Sequence, residues 1–385
     1  MASVIRVEIQ PDILRWARER ANLTVSHLEK TFPKIESWER GESSPTLKQL
    51  ENLAKATRVP VGYLFLSEPP VERISIPDFR TIVGSRAAHP SPDLLEMIYV
   101  CQQRQEWYHD FAKAAAEEPQ AFIGSVKISD SIEAVAAMIR RALGFDLEAR
   151  RRCPTWTDAL RQFIAQADAL GVLVMCSGVV LNNNRRHLDP AEFRGFAMVD
   201  DFAPLVFING ADSKAAQMFT LAHELAHLWL GQSALSDASP ASVPAHKIER
   251  WCNYVGAEIL VPLEILRSEY RSDAGLGDEL SRLARRFKVS SLVILRRIYD
   301  AEGISKETFE KAYESEIRRL SKMPAGKGGD FYLTQAARVS KRFARSLVIS
   351  TIEGQTLYRD AFRLLGIRKT ETFMELARSL EFSPS

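Results

Sequence analysis

Residues His223-Glu224-Leu225-Ala226-His227 lie inside an apolar run from Phe219 to Leu230, and no other stretch constrains the chain as tightly. On a helix, positions four apart share one face, one turn apart. Two imidazoles so placed can both reach one Zn²⁺ at about 2.0–2.1 Å. The glutamate between them then faces the open side of the metal, where it can take a proton from water. A catalytic zinc site uses three protein ligands and one open position, so a third ligand must come from elsewhere. The plainer alternative is a pair of histidines facing a polar pocket. It would bury two imidazoles and a carboxylate in an apolar helix with nothing to compensate them.

Past Gly231, small residues and proline mark a loop to about Pro244, and a second helix follows with Glu249, Asn253 and Gly256. At about 100° per residue these three share a face, whereas Glu258 points about 180° away from Glu249. Only one of the two glutamates can therefore look at the first helix. Glu249 is the expected third ligand and Glu258 the alternative. Gly256 would let the helices approach closely, and Asn253 could hydrogen-bond a ligand. Zinc there would acidify a water molecule and polarise a carbonyl, with Glu224 passing the proton to a leaving amine. His246 is a candidate donor to the oxyanion, although a lone loop histidine is commonly just solvated. Mn²⁺ or Fe²⁺ could use the same two histidines and glutamate.

The chain has 385 residues, 46% hydrophobic and 26% charged, with a formal charge of +2. That length predicts two or three domains. The charge does not mark the whole molecule as a nucleic-acid binder. No apolar run approaches the ~18–20 residues of a membrane span, and Met1–Gln10 lacks a signal-peptide core, so a cytoplasmic protein without membrane contact is expected. Cys101, Cys153, Cys176 and Cys252 lie far apart with no CxxC spacing and read as small apolar residues.

Helical patterns dominate: Pro11–Arg20, a turn capped by Thr24, Lys34–Arg40 closed by Gly41, and a helix opened by Ser44-Pro45 and stopped at Val59-Pro60. A proline-bearing connector covers Ser67–Pro92, and a long helix Asp93–Glu118 follows. Helices at Ser131–Leu143 and Thr157–Leu170 precede three expected strands, Val172–Cys176, Phe193–Val199 and Leu205–Asn209. A sheet edge beside a metal-bearing helix suits a peptidase, because an extended substrate can add itself as a further strand. Met323–Gly329 reads as another boundary. The expected class is mostly α with a small β-sheet (α+β). Its divisions are a helical domain at 1–68, the connector and long helix at 69–128, a metal domain at 129–300 and a basic helical region at 301–385.

The run HELAHLWL, followed by Ile248–Pro262 (IERWCNYVGAEILVP), resembles the ImmA/IrrE-type zinc metallopeptidases. Their downstream motif reads roughly E-x-x-A-N-x-F-A-A-E-L-L-x-P. Here Cys252 replaces a small residue, while Glu249, Asn253, Glu258 and Pro262 fall in place. The resemblance implies a zincin-like domain with Zn²⁺ ligands His223, His227 and Glu249 and base Glu224. It also implies cleavage of a repressor or anti-repressor in a stress, mobile-element or toxin–antitoxin circuit, and its longer members share the segment Ile76–Arg80 (IPDFR). The alternative from another class is a DNA-binding regulator or antitoxin whose zinc domain senses or docks a partner without cutting it.

Trp38-Glu39-Arg40-Gly41-Glu42 with Pro45-Thr46-Leu47 and Leu50 resembles the XRE-type helix-turn-helix, which implies DNA contacts from Lys34, Ser37, Trp38 and Arg40. This copy is short, with 17 positions from Leu23 to Glu39 where the family has about 21. Residues 1–70 carry ten basic against nine acidic side chains, too even a balance for strong phosphate binding. A protein-docking remnant is therefore as well supported as DNA binding. Near the C-terminus, Arg338, Lys341, Arg342, Arg345, Arg368 and Lys369 form a basic patch expected to be a solvated face. Leu364–Ile367 resembles the turn of a second helix-turn-helix, with Phe362 where a small side chain is usual.

Overall fold

Short polar side chains open most of the helices and glycines close several of them. The computed structural model describes residues 6–21, 23–72, 74–80, 90–236, 244, 246–320 and 338–380. They fall into two units, Met1–Ser75 with Val83–Ile98, and Ile76–Ile82 with Tyr99–Ser385. The boundary expected at Met323–Gly329 lies outside the described residues.

The first unit is built from α1 (Pro11–Arg20), α2 (Val25–Glu29), α3 (Ile35–Glu39) and α4 (Leu47–Thr57), then a 3₁₀ turn at Val61–Phe65. Proline opens α1, and the Thr24 hydroxyl caps α2 by accepting the His27 amide. The expected Ser44-Pro45 start of α4 is corrected: Thr46 is the cap. Its hydroxyl accepts the Gln49 amide at 3.2 Å while the Gln49 side chain accepts the Thr46 amide at 2.9 Å. Ile13, Leu14, Ala17, Leu28, Ile35, Trp38, Leu50 and Leu53 form one buried core. Both helices of the helix-turn-helix-like part, α2 and α3, are five residues long, little more than one turn each.

In the second unit the helix α5 (Pro92–Ala114), whose first turns belong to the first unit, leads to α6 (Ile132–Leu143), α7 (Leu147–Arg151) and α8 (Trp156–Leu170). Strands β1 (Leu173–Ser177), β2 (Gly195–Met198) and β3 (Leu205–Asn209) precede α9 (Lys214–Leu230), β4 (Ala234–Ser236) and α10 (Lys247–Leu260). The sheet order is β1-β3-β2-β4, with β1 parallel to β3 and the other pairs antiparallel. The three-residue β4 lies inside what reads in sequence as a loop. Four helices follow α10: α11 (Leu263–Glu269), α12 (Leu276–Phe287), α13 (Ser291–Asp300) and α14 (Lys306–Leu320). The C-terminal set is α15 (Lys341–Ile352), α16 (Tyr358–Leu365) and α17 (Thr370–Ser379). The chain is thus mostly helical with a small mixed sheet. Among the described residues, no helix is long and apolar enough to cross a membrane.

The basic C-terminal patch is not one solvated face. The Arg342 guanidinium donates to Tyr108 Oη at 2.6 Å and to Glu117 at 2.9 Å, and Arg338 donates to Asn182 at 2.8 Å. These arginines fasten the C-terminal helices to the rest of the unit.

Candidate metal centre

Helix α9 begins at Ser213, whose hydroxyl accepts the Ala216 amide, and ends at Gly231, with φ of +70°. Thirteen of its residues from Gln217 to Trp229 are buried, because it packs on β2 and β3 on one side and on α8 and α10 on others. His223, Glu224 and His227 are each 0% exposed within it. Two glycines permit this crowding. A Cβ on Gly195 of β2 would stand 2.5 Å from Thr220 Cγ2 and 3.1 Å from Glu224 Oε1. One on Gly256 of α10 would stand 3.1 Å from the His223 amide nitrogen, as expected of a position where the two helices approach.

Glu249, in the first turn of α10, reaches across to both rings. His227 Nε2 lies 2.9 Å from its Oε1, His223 Nε2 lies 3.2 Å from its Oε2, and the two Nε2 atoms are 3.1 Å apart. Two ligand atoms at about 2.05 Å from a tetrahedral ion stand about 3.3 Å apart, so these spacings fit a divalent metal. His223 Nδ1 and His227 Nδ1 are buried and have no hydrogen-bond partner among the described residues. Such a buried, underpaired set is costly unless a cation gathers it. Asn253 is a hydrogen-bond neighbour of His223.

The electrostatics agree with that chemistry. Burial drives His227 toward its neutral, ligating form. Burial alone would raise the Glu249 carboxyl, but His223 and His227 overcome it and hold Glu249 well below the carboxylate range. Burial would lower His223, and the Glu249 charge outweighs it and raises the ring. Burial pushes Glu224 up to about 8, opposed by His223 and by the Ser236 hydroxyl on β4. Burial thus makes Glu224 a carboxyl that takes up a proton more readily than an exposed glutamate does.

The second glutamate of α10 is occupied elsewhere. Glu258 forms a buried ion pair with Arg297 and accepts the Leu263 amide, and its carbonyl accepts Arg140 at 2.6 Å. His246 is the residue before α10 and is exposed, and its ring stacks on Phe79 with centroids 4.3 Å apart. Phe79 also lies parallel to the His227 ring at 6.5 Å. Neither Phe79 nor Ser236 stands out as a site residue in the sequence, where only the Ile76–Arg80 segment is noticeable.

Among the residues suggested for DNA contact, Lys34 and Arg40 are exposed, and Arg40 pairs with Glu36. Ser37 is half-buried and bonded to Ser43 at 2.6 Å. Trp38 is corrected: it is 2% exposed, part of the core of its unit, and has no surface to offer a groove.

Residues 339–379 match a family model described as a domain of unknown function. No curated protein is similar enough to the chain to count as a match. Residues 167–299 match a peptidase family model described as the IrrE N-terminal-like domain. That span carries β1 to α13, and with them His223, Glu224, His227 and Glu249, so this part of the chain is similar to a metallopeptidase domain.

Proposed function

We propose that the chain is a zinc-dependent endopeptidase that cuts a protein regulator, a repressor or anti-repressor of a stress, mobile-element or toxin–antitoxin circuit. The observation that carries this reading is Glu224. It is fully buried and lies between two histidines that converge with Glu249 on one point. A structural metal site has no use for such a carboxyl, whereas a hydrolytic site needs a proton acceptor. His223, His227 and Glu249 would hold the ion, and the ion supplies a polarised carbonyl and an acidified water. Asn253 keeps the His223 ring oriented. Glu224 accepts a proton from the attacking water and returns it to the leaving amine. His246 stands at the rim of the site and would donate to the oxygen that gains charge.

In this reading residues 1–68 act as a helix-turn-helix-like docking module, 129–300 as the zincin-like catalytic domain and 301–385 as a basic helical region, in the cytoplasm. The near-neutral charge of residues 1–70 and the buried Trp38 favour a protein target over DNA for the first module.

The test compares wild type with Glu224→Gln, both metal-loaded, after co-expression with the products of neighbouring genes. Intact-mass analysis then looks for a cleaved partner. A cut made by wild type and slowed at least about 10³-fold by the variant supports the peptidase. An uncut, stable complex with both proteins would replace it by a regulator or antitoxin that docks without cutting.

A further inference from the structure

The segment Ile76–Arg80 lies on the sheet edge beside the metal centre. Asp78 pairs with Leu235 of β4 as a parallel bridge. The Leu235 amide donates to Pro77 O at 2.9 Å, and the Phe79 amide donates to Leu235 O at 3.0 Å. On its other side β4 pairs with β2 through Ala234, Leu235 and Ser236. Backbone groups alternate in direction along a strand, so only the central residue of this short strand turns its N–H and C=O outward. Both of those groups are taken by residues 77 and 79.

The side chains secure the segment over the same edge. Arg80, with its side chain 2% exposed, makes two hydrogen bonds to Asp78 at 2.9 and 2.7 Å and lies 3.7 Å from the Glu192 carboxylate. Ile76 is 8% exposed. Phe79 covers the His246 ring and lies over His227.

An extended protein substrate that binds by strand addition needs outward backbone groups on the edge strand next to the ion. On β4 those groups are the Leu235 pair. We propose that Ile76–Arg80 is an internal occluding strand: it occupies the substrate's edge, and Phe79 covers the place next to His227 and His246 where a substrate side chain would lie. The segment must leave β4 before an extended protein chain can bind. This rests on the peptidase reading for what competes with the segment, but not for the pairing itself.

The test uses the zinc-loaded full chain and two metal-chelating probes. One is acetohydroxamate, which reaches only the ion. The other is an extended hexapeptide bearing a hydroxamate, which also needs the strand edge. Calorimetry gives both affinities for wild type, Phe79→Ala and Phe79→Leu, with melting and zinc content checked for each. The expected result is a gain of about tenfold or more for the peptide probe on Phe79→Ala, a smaller gain on Phe79→Leu, and acetohydroxamate within about threefold throughout. Hydrogen exchange on wild type needs no variant. The peptide probe should speed exchange of the Phe79 amide while the Leu235 amide stays protected by the incoming strand. Equal or weaker peptide binding by Phe79→Ala overturns the proposal, as does a Phe79 amide that stays protected with the peptide bound. The peptidase reading fails separately, when wild type and Glu224→Gln leave every partner uncut, and that outcome does not alter either affinity or exchange.

Discussion

The N-terminal unit and the α9/α10 pair both bury charged side chains, and they treat them in opposite ways. In the N-terminal unit the buried Glu39 receives two hydrogen bonds from Arg18, at 2.7 and 3.0 Å, and the partner charge sits in the same core wall. The buried charge there is matched by its opposite, as in a scaffold, although Trp38 Nε1 is buried without a partner among the described residues. Between α9 and α10, Glu224, Glu249 and the two histidines share one small volume, and several of their atoms lack partners among the described residues. Native interiors avoid such debts unless something repays them. Burial by itself therefore does not mark a site, whereas the convergence of His223, His227 and Glu249 ligand atoms on one point does.

The comparison breaks first if the underpaired cluster does not gain from metal. Zinc at about 100 times its dissociation constant should stabilise the wild-type chain by about 2.7 kcal/mol, seen as a concentration-dependent rise in melting temperature. Glu249→Ala should lose that response. A sharper contrast lies within α10. Glu258→Ala should cost the largest stability of any change considered, about 3–5 kcal/mol, because it leaves the buried Arg297 without its carboxylate. It should nevertheless keep the zinc response. Chemical denaturation with and without zinc reads both effects in one experiment.

In the N-terminal unit, Glu39→Ala should cost about 2 kcal/mol by stranding Arg18, with the zinc response unchanged. The same unit should leave the full chain without salt-sensitive, sequence-selective DNA binding, since Trp38 points inward and α3 is one turn long. A gel-shift titration at two salt concentrations checks this, and selective retardation of one sequence would contradict it.

The smallest effect concerns Asp168, which accepts Ser340 Oγ at 2.9 Å. Burial raises its carboxyl to about 6 from an ordinary 3.8. Between these values the folded chain holds a proton that the unfolded chain has lost, so the contribution of Asp168 to stability is greatest below about pH 4 and is lost as pH rises through 6. This slope should amount to about 1–2 kcal/mol between those limits and vanish in Asp168→Asn, as read from melting curves across pH.

The legible parts of the site are those set by helical spacing. HELAH fixes two imidazoles on one face, and the angular separation of Glu249 from Glu258 anticipates that the two carboxylates have different neighbours. Structure adds what spacing cannot carry. The strand β4 has three residues, too few for an alternating pattern, so the edge beside the ion reads as a loop. Phe79 meets His246 only through a pairing between distant parts of the chain, and no local propensity encodes that partner. Gly195 acts through a close approach to Thr220 on another element, invisible until β2 lies on α9. In the N-terminal unit the Thr46-x-x-Gln49 spacing carries the cap of α4, and Ser44-Pro45 competes with it because a serine followed by proline is a helix-start signal of its own two residues earlier.

The central claim is that His223, His227 and Glu249 together hold one metal ion that serves Glu224. Native mass spectrometry of zinc-loaded wild type, Glu249→Ala and Glu258→Ala tests it most directly. The account predicts one zinc ion on wild type, none on Glu249→Ala and one on Glu258→Ala. Zinc retained by Glu249→Ala and lost from Glu258→Ala would contradict it.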